Sequence, residues 1–228
     1  QLKLSALNNY GAMKEKLQDL LLFYSSTQKK LVTLGEYVSR MPEEQKYIYY
    51  ASGDSVEAVD HLPQTELLKD RSMEILYFTD IFRTYGDKAF RSAVDGDLEL
   101  GDEKQPETAD HQETLDFLKE TLGSRVDQVK ASGKLKSHPV CLTSGEGMTF
   151  EMEKYFAAVQ PDLALKAKRI LEVNVEHPAF AALESARITD PDRAKKYAEI
   201  LLNQAMLIAG LPLENLSDYT DLVCSLWK

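Results

Sequence analysis

The end of the chain constrains the fold most, because residues that start and stop helices fix two of them. Asp190 can cap a helix whose first position is Pro191, where the missing N–H would have no intrahelical partner anyway. Gly210, followed by Pro212, stops that helix, and Asn215 can cap another. The sequence therefore predicts a helical hairpin at the C-terminal end.

Both helices of this hairpin carry more apolar side chains than two helices can cover for each other. They are Tyr197, Ala198, Leu201, Leu202, Ala205, Met206 and Ile208 in the first, and Leu216, Tyr219, Leu222, Val223, Leu226 and Trp227 in the second. Full burial of one large apolar side chain contributes about 1.5–3 kcal/mol, so exposing several would be costly. Two hairpins could pair as a four-helix bundle in a two-fold dimer. Packing on the preceding sheet would also cover them, and the spacing alone leaves both open.

The first part of the chain has the pattern of an α/β fold. A helical run is predicted over residues 13–24. Aromatic and β-branched residues at 46–51 and 73–78 predict two strands, with a helix starting at Asp54 and Ser55 between them. Strand, helix and strand in this order predict a βαβ unit, whose strands are parallel and whose crossover is right-handed.

The second part has the pattern of an α+β fold. A short amphipathic helix over residues 114–122 ends at Gly123. Strand candidates follow at 126–132, 139–143 and 170–175. The stretch from Asp95 to Asp110 is acidic, with few large apolar residues, which is typical of a linker. We therefore predict one domain over 1–100, a linker over 101–110 and a second domain over 111–228.

One helix of the second part is apolar on two sides. At helical spacing, Met148, Met152, Tyr155, Phe156 and Val159 form one stripe, and Phe150 lies nearly opposite. Either the stripe faces the domain core, as such stripes commonly do, or it is an exposed surface that contacts a partner.

Charge and cysteine content exclude several classes of protein. The net charge of −10 disfavours sequence-independent nucleic-acid binding, which needs Lys and Arg to neutralise phosphates. No apolar run approaches the ~18–20 residues of a membrane span. Cys141 and Cys224 are far apart, so we expect no disulfide framework and a reducing, cytoplasmic location. Because the chain begins at Gln1, without an initiator Met, we expect a piece of a longer protein.

No motif for catalysis or metal binding is convincing. The run from Ser144 to Gly147 lacks the Lys and Ser or Thr that complete a phosphate loop. His138 and Cys141 have no further ligands at metal-binding spacing. We expect no metal site. One alternative is kept: a small α/β domain that binds a ligand, or acts as an enzyme, through the loop from Ser52 to Ser55 after the first strand of the βαβ unit.

Several stretches of the chain nevertheless resemble one family, the heat-shock protein 90 chaperones. They are LGEYVSRM (34–41) and QKYIYY (45–50), with LQDLLLFYSS (17–26), DKAFRSA (87–93), LEVN (171–174) before His177 and Pro178, and LLNQA (201–205). The stretches run in the family's order along nearly the whole chain.

The resemblance implies the C-terminal portion of such a chaperone. Residues 1–100 would then be the end of its middle domain and 111–228 its dimerisation domain. The domain that binds ATP and Mg²⁺ would lie upstream, so this chain would have no ATPase activity and hold no cofactor itself. The implied function is homodimerisation and binding of unfolded client proteins, with co-chaperones as further partners, in the stress response of the cytoplasm. A third interpretation limits the chain to dimerisation.

The resemblance also implies roles for particular residues. The implied client-binding residues are Met148, Met152, Tyr155 and Phe156. The implied dimer interface consists of Leu201, Leu202, Ala205, Met206, Leu216, Tyr219, Leu222, Val223 and Leu226.

Two departures from the family's pattern limit what carries over. About two helical turns that the family has between the segments matching 78–80 and 81–83 have no counterpart here. The chain ends in Trp227 and Lys228 instead of the acidic pentapeptide of eukaryotic cytosolic members, which points to the bacterial type.

Overall fold

The computed structural model describes residues 20–78, 90–92, 109–145, 147–160 and 165–227. The chain divides into two compact units, residues 1–94 and 95–228. Most of the predicted linker over 101–110 lies outside the described residues, so its boundaries stay a prediction.

The first unit is built on a five-stranded mixed sheet. Its strands are β1 (Leu22–Ser25), β2 (Leu31–Thr33), β3 (Ile48–Ser52), β4 (Ile75–Phe78) and β5 (Phe90–Ser92), in the order β2-β1-β4-β3-β5. Three short helices accompany them: α1 (Leu34–Val38), α2 (Val56–Asp60) and α3 (Glu66–Asp70). β3 and β4 pair in parallel, with α2 and α3 between them in the chain, so the predicted pair of parallel strands with a helical connection is confirmed.

The predicted helix over residues 13–24 is wrong where the structure describes it, because residues 22–25 form β1. Leu20, Leu21, Leu22, Phe23 and Tyr24 make a short apolar run that fits either period. Strand pairing makes this run a strand, because β1 pairs antiparallel with β2 on one side and with β4 on the other. Residues 13–19 lie outside the described part of the chain.

The stretch LGEYVSRM forms a structural junction in this unit. Tyr37 is buried, and its hydroxyl donates to the carbonyl oxygen of Glu74 at 2.8 Å. The same hydroxyl accepts from Gln45 Nε2 at 3.0 Å and from the Tyr49 N–H at 3.2 Å. Arg40 donates twice to the Glu74 carboxylate, at 2.7 and 3.0 Å. Tyr37 of α1 and Arg40 just after that helix thus hold β3 and the start of β4 together.

The second unit combines a three-stranded sheet with five helices among its described residues. The strands β6 (Gln128–Ala131), β7 (Val140–Ser144) and β8 (Arg169–Val173) lie in the order β6-β8-β7. The helices are α4 (Gln112–Leu122), α5 (Phe150–Val159), α6 (Pro178–Thr189), α7 (Pro191–Ile208) and α8 (Leu216–Ser225). The predicted α+β architecture with a terminal helical hairpin is confirmed for the single chain.

The helix boundaries of this unit follow the capping residues in the sequence. The Asp190 carboxylate accepts the Arg193 N–H at 3.1 Å, with Pro191 at the first helical position. Gly210 follows the end of α7 in the left-handed region, at φ +65°. The Asn215 side-chain oxygen accepts two N–H groups in the first turn of α8, from Ser217 at 3.0 Å and Asp218 at 3.3 Å.

Helices α4, α6 and α7 supply most of the core of the second unit. They pack with alternate residues of the strands in one cluster, which includes Leu115, Leu118, Leu122, Val140, Leu142, Leu171, Val173, Phe180, Leu183, Ala198, Leu201, Leu202 and Ala205. Helices α5 and α8 contain no buried residue. These two helices are therefore the least buried of the five. Of the helices in the described ranges, none is long and apolar enough to cross a membrane.

Candidate functional site

Helix α5 carries the methionine stripe but starts later than the spacing predicts. Thr149 caps it, with its hydroxyl accepting the Met152 N–H at 3.2 Å, and the first helical residue is Phe150. Met148 therefore precedes the helix and is half-buried. The Thr149 cap fixes the start of the helix, so α5 does not extend back to Met148 although the apolar spacing includes that residue.

The stripe on α5 faces solvent in the single chain. Met152, Tyr155 and Val159 are 38%, 61% and 57% exposed. Phe156 is half-buried, and its ring meets that of Tyr155 edge to face, with centroids 5.7 Å apart. Met152, Tyr155 and Val159 are hereafter called the α5 stripe.

The opposite side of α5 faces the domain. Phe150 packs against the core cluster. Glu153 Oε1 accepts from Arg169 Nη2, and Glu153 Oε2 accepts the Ala167 N–H, each at 2.8 Å. The structure thus answers the question that the spacing left open, because Phe150 rather than the stripe turns toward the core.

Three residues predicted at the dimer interface lie inside their own unit. Leu202 and Ala205 are fully buried and Leu201 is 5% exposed, all within the core cluster of the single chain. In the single chain their side chains are thus enclosed by their own unit, and the dimer interface itself stays a prediction. The sheet and α6 cover this apolar face of α7, which is the second of the two possibilities that the spacing left open.

The other residues of the predicted interface remain at the surface. Leu216 is 63% exposed, and Tyr219, Leu222, Val223 and Leu226 are half-buried. Met206 is half-buried against the edge of the core. Trp227, just after α8, is 87% exposed.

An apolar depression that the sequence pattern did not indicate lies between α7 and the start of β7. It has a volume of about 350 Å³ and is lined by His138, Pro139, Val140, Gln204, Leu207 and Ile208. Leu207 itself is 46% exposed. The position of Leu207 on α7, outside the face that packs in the core, is the one signal in the sequence that could have indicated this surface.

The loop from Ser52 to Ser55 uses its polar groups internally. Ser55 Oγ accepts the Ala58 N–H at 3.0 Å as the cap of α2, and the Gly53 N–H donates to the Phe78 carbonyl at 3.2 Å. A Cβ at Gly53 would lie 2.7 Å from Val59 Cγ2, so the loop lies tightly against α2. The ligand-site alternative therefore gains no support here.

The histidines and acidic residues give no metal centre within the described ranges, where no group of three or more His, Cys, Asp or Glu could hold an ion. The first histidine of the second unit, His111, instead contacts Glu184 through Nδ1 at 2.8 Å. Cys141 is buried and Cys224 is exposed, and both are free thiols.

Comparison with known proteins places the whole chain in one family. The model of the family described as "Hsp90 protein" matches residues 1–228. The chaperone protein HtpG of Clostridium acetobutylicum is 47% identical over 239 residues, and the match covers 100% of this chain and 38% of the relative. The HtpG proteins of Oceanobacillus iheyensis and Bacillus subtilis are 45% and 44% identical over 98% of the chain, again 38% of each relative.

The chain thus spans 38% of the length of the curated relatives that it matches. These relatives are bacterial, as the resemblance implied. Together, the family match and these relatives show that the chain belongs to the Hsp90 protein family.

Proposed function

We propose that this chain is the part of an ATP-dependent chaperone that pairs two copies and holds unfolded client proteins. The observation that carries the proposal is the exposure of the α5 stripe. A helix with no buried residue keeps three large apolar side chains in water while Phe150 faces the core. Exposed apolar patches on folded proteins commonly mark interaction sites.

The chemistry of the α5 stripe suits varied, unfolded partners. Met152 is flexible and polarizable, so it adapts to different apolar side chains. Tyr155 offers an aromatic face together with a hydroxyl group for polar contacts. We place the client contact at these two residues, with Met148 and Phe156 at its margins.

We place the dimer contact on α8 and the outer side of α7. Leu216, Tyr219, Leu222, Val223 and Leu226 give α8 an apolar side that its own unit leaves partly uncovered. A second hairpin would cover that side, Trp227 and the depression beside Leu207. Leu201, Leu202 and Ala205 belong to the core and are left out of this interface.

ATP hydrolysis, in this proposal, belongs to the part of the full-length protein that this chain does not span. The relatives are named chaperones, and the chain corresponds to 38% of their length. We assign ATP and Mg²⁺ binding to the remainder, and a cytoplasmic location with co-chaperone partners to the whole protein.

Binding of an unfolded protein tests the client site directly. The probe is fluorescein-labelled, reduced and carboxymethylated α-lactalbumin, followed by fluorescence anisotropy. Replacing Met152 and Tyr155 together by Ser should weaken binding by about tenfold, because each residue contributes apolar area. The control is Ile188→Ser, which removes another exposed apolar side chain, 75% exposed at the end of α6. Equal affinities for the double variant, the control and the unmodified chain would refute the client site and leave dimerisation alone.

A further inference from the structure

We propose that Glu153 and Lys154 are positioning residues, which attach α5 to the domain at two points and so fix the direction in which the α5 stripe faces. Only the part of this inference that concerns client binding rests on the proposed function. The attachment itself follows from the contacts of these two neighbouring, oppositely charged residues.

Glu153 makes the first attachment. Its two carboxylate oxygens are both used, one by the Arg169 guanidinium and the other by the Ala167 N–H, at 2.8 Å each. The side chains of Glu153 and Arg169 are only 12% and 14% exposed. Hydrogen bonds between charged groups are stronger than neutral ones, and exclusion of water strengthens them further. This contact joins the first turns of α5 to the start of β8.

Lys154 makes the second attachment, at the turn between α7 and α8. A Cβ built on Gly210 would lie 2.7 Å from Lys154 Nζ, so the ammonium group lies directly against this glycine. Gly210 lies two residues beyond the last residue of α7, next to the C-cap Ala209, and the negative end of the helix dipole there favours a cation. Lys154 Nζ also lies 3.4 Å from Glu151 Oε1 within α5. A residue without a side chain at 210 leaves room for this contact.

Polar attachment decides the orientation of α5 because apolar packing is too sparse to do so. The helix has no buried residue, and of its apolar side chains Phe150 is the one that packs against the core cluster. One anchoring ring leaves rotation about the helix axis weakly restrained. Glu153 and Lys154 are about 100° apart around the helix and contact two different elements. Together they hold Met152 and Tyr155 toward solvent.

Hydrogen exchange of the full 228-residue chain tests the attachment. In Glu153→Gln, the amide hydrogens of residues 150–159 should exchange on the order of tenfold faster, while those of α6 keep their rates. Lys154→Met should act in the same direction. The matched control is Glu120→Gln, an exposed glutamate on α4, which should leave α5 unchanged. Partly restored protection in the charge-swapped pair Glu153→Arg with Arg169→Glu, which keeps the ion pair but loses the acceptor of the Ala167 N–H, supports a specific ion pair. Unchanged exchange in both Glu153→Gln and Lys154→Met would overturn the proposal.

Binding of carboxymethylated α-lactalbumin separates positioning from general stability. Glu153→Gln should weaken binding several-fold, and it should have no further effect once Met152 and Tyr155 are already Ser. An equal loss in both backgrounds would overturn the positioning role. If exchange rises but neither Glu153→Gln nor the Ser variants change binding, the client function fails while the two-point attachment stands.

Discussion

The hydroxyl of Tyr37 in α1 donates a hydrogen bond of 2.8 Å to the backbone carbonyl of Glu74, just before β4. The same oxygen accepts from Gln45 and from the Tyr49 N–H, so one buried phenol joins three segments of the first unit. Burial raises the pKa of Tyr37 above its ordinary value.

Tyr37→Phe should therefore destabilise the first unit by about 1–3 kcal/mol, because buried donors and an acceptor lose their partner. Urea unfolding followed by circular dichroism measures the change. Tyr47→Phe, at an exposed tyrosine of the same unit, should stay within about 0.5 kcal/mol. A Tyr37→Phe variant as stable as this control would show that the junction contributes little.

Asp60 should make the stability of the first unit depend on acid pH. The hydrogen bond from the Tyr77 hydroxyl lowers the pKa of Asp60, and Lys69 adds to the effect. A carboxyl whose pKa is lower in the folded state stabilises the fold above its unfolded pKa. That stability is lost as the pH falls below about 4 and through the folded pKa.

The measurement is the urea midpoint at pH 7 and pH 3. Asp60→Asn should reduce the difference between the two midpoints, and the exposed Asp70→Asn control should leave that difference as in the unmodified chain. An Asp60→Asn variant with the full acid sensitivity would assign the effect to other carboxyl groups.

Glu172 should be a stabilising buried carboxylate in the second unit. It is 2% exposed and accepts from Ser132 Oγ at 2.7 Å and Thr143 Oγ1 at 3.1 Å, with Lys130 Nζ at 3.4 Å. Glu172→Ala leaves these polar groups without their acceptor and should cost about 3 kcal/mol. Thermal unfolding measures the loss, with Glu120→Ala as the exposed comparison. A loss no larger than that of Glu120→Ala would contradict the assignment.

Leu222→Glu should give a folded monomer, because it places a charge in the proposed contact between two hairpins without disturbing a buried position. Sedimentation equilibrium gives the mass, and circular dichroism confirms the fold. Ile188→Glu, at an exposed position on α6, should leave the mass unchanged. A Leu222→Glu variant that still sediments as a dimer would rule out the α8 contact.

Leu202→Glu should behave differently from Leu222→Glu. Leu202 is completely buried within its own unit, so the charge would unfold the domain instead of separating two folded copies. A folded, monomeric Leu202→Glu variant would contradict the core position of this residue.

Local features of the fold could be predicted because their causes are local. Asp190, Gly210 and Asn215 determine the ends of α7 and α8 through hydrogen bonds and backbone angles within a few residues. Strands form at 48–52 and 75–78, at the two predicted places, because short β-branched and aromatic runs favour extended backbone. The family itself could also be identified from short motifs in their order along the chain.

The direction in which each apolar face turns could not be predicted, because it depends on elements distant in sequence. Spacing shows that Leu202 and Leu222 lie on apolar faces, but only the packing of the sheet and α6 against α7 buries the first and leaves the second at the surface. The same holds for Phe150 and Met152 on α5. Hydrophobic burial has no preferred direction, so the sequence by itself determined the elements and the family, and the tertiary structure decided which apolar side chains remain for a partner.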